Sequence, residues 1–139
     1  MLVNSREVEI EWGDCDAAGI VFYPRYFAMF DASTAYLFEK AIGMKKIAWT
    51  KHFGIVGIPM VDTGARFIIP SRYGDVIRIE TQATEIRRSS FDIQHRVYKG
   101  EALAIEARET RVWAGVDPDN PERIKGYAIP DEVVAALKG

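Results

Sequence analysis

The sequence is poor in residues that support several common kinds of chemistry. A single cysteine, Cys15, occurs among the 139 residues, so no disulfide can form within the chain, which fits a reducing compartment. The two histidines, His52 and His95, lie far apart and show no zinc-ligand spacing with the cysteine. Neither the phosphate-binding pattern GxxxxGKS/T nor the dinucleotide-binding pattern GxGxxG is present. We therefore expect neither a metal ion nor a cofactor.

Long apolar runs and an excess of charge of one sign are also absent. No segment is long and apolar enough to span a bilayer, and the opening MLVNSREVEI becomes charged at once, unlike a signal peptide. The net charge of −2 argues against general binding to nucleic acids or anionic membranes. We expect a cytoplasmic protein with neither of these partners.

What the sequence does contain is an ordinary globular composition, with 48% hydrophobic and 27% charged residues. A chain of 139 residues suits one domain rather than two and can bury a sizeable core. No internal repeat, low-complexity tract or linker interrupts it. The sequence therefore predicts a single domain spanning residues 1–139.

The first two elements are a strand and a long helix. Apolar residues alternate with glutamates at the start, which predicts a half-buried strand carrying Val8, Ile10 and Trp12 on one face. Pro24 suits a first helical turn, and the helix is predicted to run to about Ala41. Its apolar stripe comprises Phe27, Phe30, Thr34, Leu37, Phe38 and Ala41. Because few charges interrupt it, this helix is expected to be largely enclosed.

Four further runs have the composition of strands: Met60 to Ile69, Val76 to Thr84, Ser90 to Tyr98 and Ala102 to Ala114. The alternation of the last run falters near Glu109 and Arg111, which we interpret as a bulge. The stretch DPDNPERIKG predicts a loop, and Pro130 opens a short amphipathic helix. A strand, a buried helix and an antiparallel meander of four strands indicate an α+β fold whose sheet curls around the helix.

The segment GDCDAAGIVFYP, from Gly13 to Pro24, is the one that suggests chemistry. It places a carboxylate just before a helix N-terminus, where unpaired backbone N–H groups and the helix dipole can polarise a carbonyl. The carboxylate can attack that carbonyl or activate a water. Asp14 or Asp16 can equally cap a turn, and for Asp14 we favour this structural role.

The same segment, extended to GDCDAAGIVFYPRYF and followed by Phe-Asp-Ala-Ser, resembles the signature of the 4-hydroxybenzoyl-CoA thioesterases of the hot-dog superfamily. The similarity continues through GIVGIP at Gly54 to Pro59, the turn at Tyr73 to Asp75, and EIRRSSF at Glu85 to Phe91. This resemblance implies a hot-dog fold, with a curved antiparallel sheet wrapped around one long helix. It also implies hydrolysis of an acyl-CoA without a cofactor, in a homo-oligomer (a dimer or a homotetramer) whose sites form between subunits.

The resemblance further implies roles for individual residues. Asp16 becomes the nucleophile or general base, Tyr23 donates its backbone N–H to the thioester oxygen, and Gly19 permits the close turn between them. Arg87 and Arg88 match a basic pair near the phosphates of coenzyme A. The residues expected to contact substrate are Phe22, Asp31, Gly57, Ile58, Pro59, Arg87, Arg88 and Ser89.

Three of these positions depart from the family pattern. Phe22 replaces a tryptophan, Ile58 a threonine, and Ser89 a third basic residue. The hydroxyl lost at Ile58 predicts a less polar pocket wall, so another aromatic or apolar acyl group fits as well as 4-hydroxybenzoyl.

Other residues have structural interpretations that compete with functional ones. Cys15 has no nearby base and is expected to be inert, whereas His95 lies on an apolar strand face and is expected to be structural. The Arg87 and Arg88 pair can simply solvate a hairpin end. Asp31 on an apolar helix needs a partner, either a ligand or a neighbouring subunit.

Two rival functions remain at this point. A hot-dog dehydratase or hydratase would be expected to place a histidine in the motif, and none is there. A non-catalytic acyl-CoA-binding module would bind the thioester without cleaving it.

Overall fold

The chain folds into seven strands and three helices, and a computed structural model describes residues 1–139. None of the helices combines the length and apolarity needed to cross a membrane. A single 3-10 turn, Trp12–Asp14, precedes the first helix. The elements are β1 (Val3–Glu9), α1 (Tyr23–Ile42), α2 (Lys46–Phe53), β2 (Met60–Phe67), β3 (Val76–Ile86), β4 (Ser90–Lys99), β5 (Ala102–Val112), β6 (Ala114–Asp117), β7 (Asn120–Gly126) and α3 (Asp131–Lys138).

Five strands form one antiparallel sheet in the order β1-β3-β4-β5-β2, and β6 and β7 form a separate hairpin. Antiparallel strands packed on one main helix confirm the α+β prediction. The predicted four-strand meander is wrong in one respect, because only β3, β4 and β5 follow one another across the sheet. β2 pairs with β5 at the far edge, and the chain then crosses the sheet before β3 pairs with β1.

The long helix α1 is present as predicted. It begins at Tyr23 with Pro24 in its first turn, and ends where Gly43 adopts a left-handed φ of 79°. Its buried face comprises Tyr26, Phe30, Ser33, Thr34, Leu37 and Phe38. The expectation that α1 is largely enclosed is wrong for the single chain, because the opposite face stays exposed, including 44% of Tyr36. The sheet covers only one side of this helix.

The first strand ends earlier than its alternation predicts. Ile10 is fully buried, but Trp12 is 77% exposed instead of continuing the buried face. The Asp14 carboxylate accepts a hydrogen bond from the Glu11 N–H at 2.8 Å and turns the chain there. This side chain therefore has the capping role expected for it.

Two stretches differ from their predictions near the C-terminus. At its C-terminal end β5 keeps its alternation: Glu109 and Arg111 lie on the inward phase and are each only 3% exposed. The bulge of β5 lies earlier, at Ala104, where the register with β4 shifts by one residue. Close to Arg111 the register shift is in the facing strand, between Met60 and Asp62 of β2. The predicted loop DPDNPERIKG instead forms most of the β6–β7 hairpin, while α3 follows Pro130 as predicted.

The interior contains two apolar clusters with a polar layer between them. The first packs the start of α1 on the sheet and comprises Ile10, Val21, Tyr26, Phe30, Ile77, Ile79, Val97, Ala104, Ile105 and Ala107. The second packs the end of α1 with α2 and α3 and comprises Leu37, Phe38, Trp49, Ile58, Ala83, Phe91, Ile93, Trp113, Ile129, Val133 and Leu137. The buried polar layer comprises Thr34, Thr81, His95, Glu109 and Arg111.

Candidate active site

The motif before α1 forms a tight loop, which we call the motif loop (residues 14–23). Backbone N–H groups of Phe22 and Asp16 donate to the carbonyls of Asp14 and Ile20 at 2.8 and 3.1 Å, and the Gly19 N–H donates to the Asp16 carbonyl at 2.9 Å. Gly19 has a φ of 80°, a conformation that costs little only for glycine. The loop therefore presents Asp16 at its tip and leads directly into the helix.

The Asp16 side chain is exposed and only half engaged. Its Oδ1 accepts a hydrogen bond from the Ala18 N–H at 2.8 Å, so the residue does cap a turn. Its Oδ2 has no partner within the chain. One fixed oxygen and one free oxygen leave the carboxylate oriented and available to a reacting group.

The start of α1 offers a hydrogen-bond donor beside this loop. Phe22 caps the helix without a side-chain hydrogen bond, and no acidic side chain occupies the first turn. The Tyr23 N–H donates to no group in the chain, and Pro24 has no N–H to offer. The Tyr23 N–H, at the positive end of a helix of 20 residues, is thus free to bind a carbonyl oxygen.

A small apolar pocket of about 150 Å³ opens beside Tyr23, between α1 and the chain that follows β2. It is lined by Ile20, Val21, Tyr23, Tyr26, Phe67, Ile68, Ile69, Pro70 and Ser71. A cavity of this size can hold a benzene ring. Burial of the phenol raises the pKa of Tyr26, one of the lining residues, so its hydroxyl stays neutral.

Asp31 has a partner that the sequence did not reveal. Its Oδ1 accepts a hydrogen bond from Arg111 Nη2 at 2.8 Å, while its side chain stays 61% exposed. The expectation that a ligand or a neighbouring subunit must pair this carboxylate is therefore wrong, because Arg111 reaches it from β5 of the same chain. The Asp31 Oδ2 accepts no hydrogen bond in the chain.

The pocket-wall segment at Gly57 to Pro59 directly precedes β2 and continues its pairing past the end of β5. Gly57 pairs with Ala114, and the Pro59 carbonyl accepts the Val112 N–H at 3.1 Å. The Ile58 side chain is only 3% exposed and packs in the second apolar cluster. It does not face an open pocket in the chain, so the argument from a lost hydroxyl to a less polar acyl group fails.

Arg111 belongs to a continuous network of buried polar groups. Its Nε and Nη2 donate to the two Glu109 oxygens at 2.9 and 3.2 Å, and its Nη1 donates to the Ile58 carbonyl at 2.9 Å. Thr34 donates to Glu109 Oε1 at 2.6 Å, and His95 Nε2 lies 3.4 Å from Glu109 Oε2. This network joins α1, β4 and β5 to the segment that precedes β2.

Electrostatics keep this network ionised. Burial alone would raise the pKa of the Glu109 carboxyl, but hydrogen bonds from His95 and Arg111 outweigh it and lower the pKa to about 2. Burial opposes the charge on Arg111 as well, yet Glu109 and Asp31 raise its pKa above the ordinary value. Both members of the pair therefore carry charge at neutral pH.

The predicted phosphate-binding pair is divided in its roles. Arg87 makes a bidentate contact with Asp92, at 2.6 and 3.1 Å, and a further ion pair with Glu85. The Arg88 side chain is exposed and has no ion-pair partner. The hairpin-end interpretation thus fits Arg87, whereas Arg88 is free to bind an anion.

Two exposed cations on β7, the strand whose end packs on the Arg88-Ser89 turn, were not identified from the sequence. The end of β7 packs on the Arg88-Ser89 turn, because a Cβ on Gly126 would lie 3.0 Å from Ser89 Oγ. Arg123 and Lys125 precede Gly126 on this exposed strand. The sequence pattern predicts a loop for this stretch and therefore gives these cations no fixed place, although alternate basic residues before Gly126 are a usable signal.

The predicted residues do not all meet within one chain. Asp16, Gly19, Phe22 and Tyr23 share the motif loop, near the residues that lead into β3. Arg87, Arg88 and Ser89 follow the opposite end of β3, a strand of 11 residues, which separates the two groups by roughly 30 Å. No group of three His, Cys, Asp or Glu side chains is arranged to hold a metal ion.

An antiparallel sheet on one long helix, with a carboxylate loop at the start of that helix, defines a hot-dog protein. The chain belongs to the thioesterase-like superfamily, whose family model matches residues 10–137. It is 38% identical over 131 residues to the 4-hydroxybenzoyl-CoA thioesterase of Pseudomonas sp. strain CBS-3, covering 90% of both chains. It is also 24% identical to the acyl-CoA thioester hydrolase YbgC of Escherichia coli O157:H7, over 94% of this chain and 92% of that one.

Solved structures agree with these relationships. An aspartate-to-asparagine variant of 4-hydroxybenzoyl-CoA thioesterase in complex with 4-hydroxybenzoyl-CoA superposes with a TM-score of 0.87 and 34% identity, covering 97% of this chain and 98% of that one. The gentisyl-coenzyme A thioesterase BH1999 superposes with a TM-score of 0.82 and 27% identity, covering 96% and 99%. The predicted hot-dog fold is confirmed.

Proposed function

We propose that the protein hydrolyses an aromatic or other apolar acyl-CoA to the free acid and coenzyme A. The observation that carries this proposal is the motif loop, which combines a half-free carboxylate at Asp16 with an unpaired N–H at Tyr23. These are the two groups that thioester cleavage requires, a nucleophile or base and a donor for the developing oxyanion. Relatives that are named thioesterases support the same reaction.

In the proposed reaction, the thioester oxygen binds the Tyr23 N–H and gains negative charge as the carbonyl carbon is attacked. Asp16 either attacks this carbon directly or removes a proton from an attacking water. Direct attack expels the coenzyme A thiolate and leaves a mixed anhydride, which water then hydrolyses. Both routes yield the carboxylic acid and the thiol, and both regenerate Asp16.

Separation of the predicted residues supports a homo-oligomer, a dimer or a tetramer, with sites shared between chains. Asp31 lies eight residues beyond Tyr23 on α1, about 12 Å along the helix, further than a benzoyl group extends from its carbonyl. We therefore expect a second chain to supply the Asp31 that contacts the acyl group. The free edge of β2, with exposed Met60, Val61 and Phe67, is suited to pairing with a second copy. We expect this oligomer in the cytoplasm.

An aromatic acyl group fits the surroundings of the motif loop. The pocket beside Tyr23 has room for one ring, and the exposed oxygen of Asp31 can accept a hydrogen bond from a ring substituent. Because the Ile58 side chain faces the core, nothing at that position disfavours a hydroxyl on the ring. Hydroxybenzoyl-like and benzoyl-like thioesters are therefore the first candidates, with Arg88 available to the coenzyme A phosphates.

The dehydratase alternative finds no support in the structure. His95 is fully buried in the polar layer, and His52 lies on α2, outside the motif loop. Within one chain, neither imidazole lies beside the Tyr23 N–H. The remaining alternative, a module that binds acyl-CoA without cleaving it, is decided by turnover.

The test is release of free thiol from a panel of benzoyl-, hydroxybenzoyl-, phenylacetyl- and straight-chain acyl-CoAs. We expect turnover by the wild type, with the best substrate identifying the acyl group. Asp16→Asn should lower kcat about 10²- to 10⁴-fold. Asp14→Asn is the matched control, because Asp14 lies two residues away but only caps a turn. Absence of turnover, or equal activity of Asp16→Asn and wild type, would refute the proposal.

A further inference from the structure

The polar layer is an unusual use of the interior of a small protein. On β3, Thr81 lies between Ile79 of one apolar cluster and Ala83 of the other, and His95 occupies the same level on β4. An apolar residue at each of these positions would merge the two clusters. The chain instead buries a Glu109–Arg111 ion pair, whose side chains are 3% and 4% exposed.

A buried ion pair is a poor source of stability, because the cost of removing both charges from water is similar to their mutual attraction. The contacts of Arg111 suggest a different purpose. The guanidinium donates from Nε and Nη2 to the two Glu109 oxygens. It also donates from Nη2 to Asp31 and from Nη1 to the Ile58 carbonyl, both of which lie outside the Glu109 pair. Asp31 is the one member of the network that is largely exposed.

The arrangement of Glu109 explains why Arg111 is rigid. Thr34 of α1 and His95 of β4 hold the Glu109 carboxylate from two other elements, and Thr81 in turn contacts His95 Nδ1 at 2.8 Å. Planar guanidinium bonded to a fixed carboxylate has little freedom to rotate. The direction of its outward N–H groups is therefore set by the polar layer.

We propose that Arg111 is a positioning residue for substrate selection, which fixes the Asp31 carboxylate so that its free Oδ2 meets a hydrogen-bond donor on the acyl group. This inference rests on the proposed function, since it requires Asp31 to face the acyl group of a thioester. Arg111 itself does not touch the substrate. Because Arg111 Nη2 is bound to Oδ1, the carboxylate is held in one orientation and its Oδ2 stays available as an acceptor.

The test is a double-mutant cycle on equilibrium binding, carried out in an Asp16→Asn background that does not turn the ligands over. Calorimetry measures the Kd of 4-hydroxybenzoyl-CoA and of benzoyl-CoA, and the ratio of the two reports recognition of the hydroxyl. The variants are Asp31→Ala, Arg111→Met and the combination of both. Arg108→Met is the matched control, because Arg108 lies on the same strand, faces outward and pairs only with exposed Asp62.

We expect Asp31→Ala and Arg111→Met each to lower the preference for the hydroxylated ligand about tenfold, and the combined variant to lose no more than either alone. Arg111→Lys should recover little, since an ammonium cannot bind Glu109, Ile58 and Asp31 in the same plane. A purely structural role for Arg111 predicts something else, namely equal weakening of both ligands or losses that multiply. Either of those results would overturn the proposal.

Substitution of Arg111 can also prevent folding, and Asp31 then provides a test that leaves the interior intact. Asp31→Ala removes an exposed side chain, so the fold should persist, and an unchanged ratio of Kd values would overturn the proposal by itself. Equal binding of the two ligands by the Asp16→Asn protein would do the same. Thiol release by the protein with Asp16 intact decides the proposed function separately.

Discussion

The motif loop and the polar layer use charge in opposite ways. In the motif loop, Asp16 is exposed, one of its oxygens is unpaired, and the neighbouring Tyr23 N–H has no acceptor. In the polar layer, Glu109 and Arg111 are almost fully buried, and both Glu109 oxygens and all three Arg111 nitrogens have partners. Groups left unpaired at the surface are available to react, whereas groups paired inside can only hold geometry.

The largest effect is expected when a charge is removed from the polar layer. Arg111→Leu leaves the Glu109 carboxylate buried without its cation, so we expect the free energy of unfolding to fall by about 3–5 kcal/mol in urea titrations. The double variant Arg111→Leu, Glu109→Leu removes both charges and should recover most of that loss. If the single variant were as stable as wild type, the paired charges would not have the structural role assigned to them.

A second prediction concerns pH and the same carboxylate. The folded pKa of Glu109 is about 2, below the ordinary value of 4.5, so its contribution to stability is present above pH 4.5 and is lost as the pH falls toward 2. At about 1.4 kcal/mol per pKa unit, wild type should lose up to about 3 kcal/mol more than Glu109→Gln over this interval. Chemical denaturation at several pH values measures the difference, and parallel curves for the two proteins would contradict it.

A smaller effect is expected in the motif loop. Gly19→Ala forces a side chain into a φ of 80°, which should cost about 1–2 kcal/mol of stability and displace Asp16. We expect kcat for the best acyl-CoA to fall further than the loss of folded protein, measured from the lowered melting temperature, can explain. Gly43→Ala, with a φ of 79° at the other end of α1, is the control for backbone strain without a change at the loop.

The smallest effect separates the two arginines of the predicted phosphate site. Arg88→Ala should raise KM for acyl-CoA several-fold, because this side chain has no partner within the chain and is free for a phosphate. Arg87→Ala should change KM less, since Arg87 is already bound to Asp92, and its exposed ion pairs contribute less than about 1 kcal/mol to stability. Steady-state kinetics on both variants would reveal the reverse order if the assignment is wrong.

The sequence predicts the motif loop well and the polar layer poorly. Asp16, Gly19 and Tyr23 lie within eight consecutive residues, so the motif loop could be recognised from one short segment, along with the helix that follows it. The polar layer is assembled from α1, β3, β4 and β5, and no single segment shows its pairing. In the sequence alone, Glu109 and Arg111 interrupt the apolar alternation of β5, because the partners that allow their burial lie on other elements.

A usable signal for the polar layer nevertheless existed. His95, Glu109 and Arg111 all occupy the inward phase of neighbouring strands, and opposite charges at that phase indicate pairing inside rather than a bulge. The β6–β7 hairpin was harder to predict, because its second strand is exposed along almost its whole length and has no apolar alternation. The helix α2 was not predicted either, since its weak pattern buries only Trp49.

The two regions are compared most directly by measuring thiol release and melting temperature on the same preparations of Asp16→Asn and Glu109→Gln. We predict that Asp16→Asn has the same melting temperature as the wild type but a kcat that is lower by at least about a hundredfold. Glu109→Gln should melt at a lower temperature and retain more activity than Asp16→Asn while it is folded. An Asp16→Asn protein that melts and turns over like the wild type would contradict the assignment of the chemistry to the motif loop.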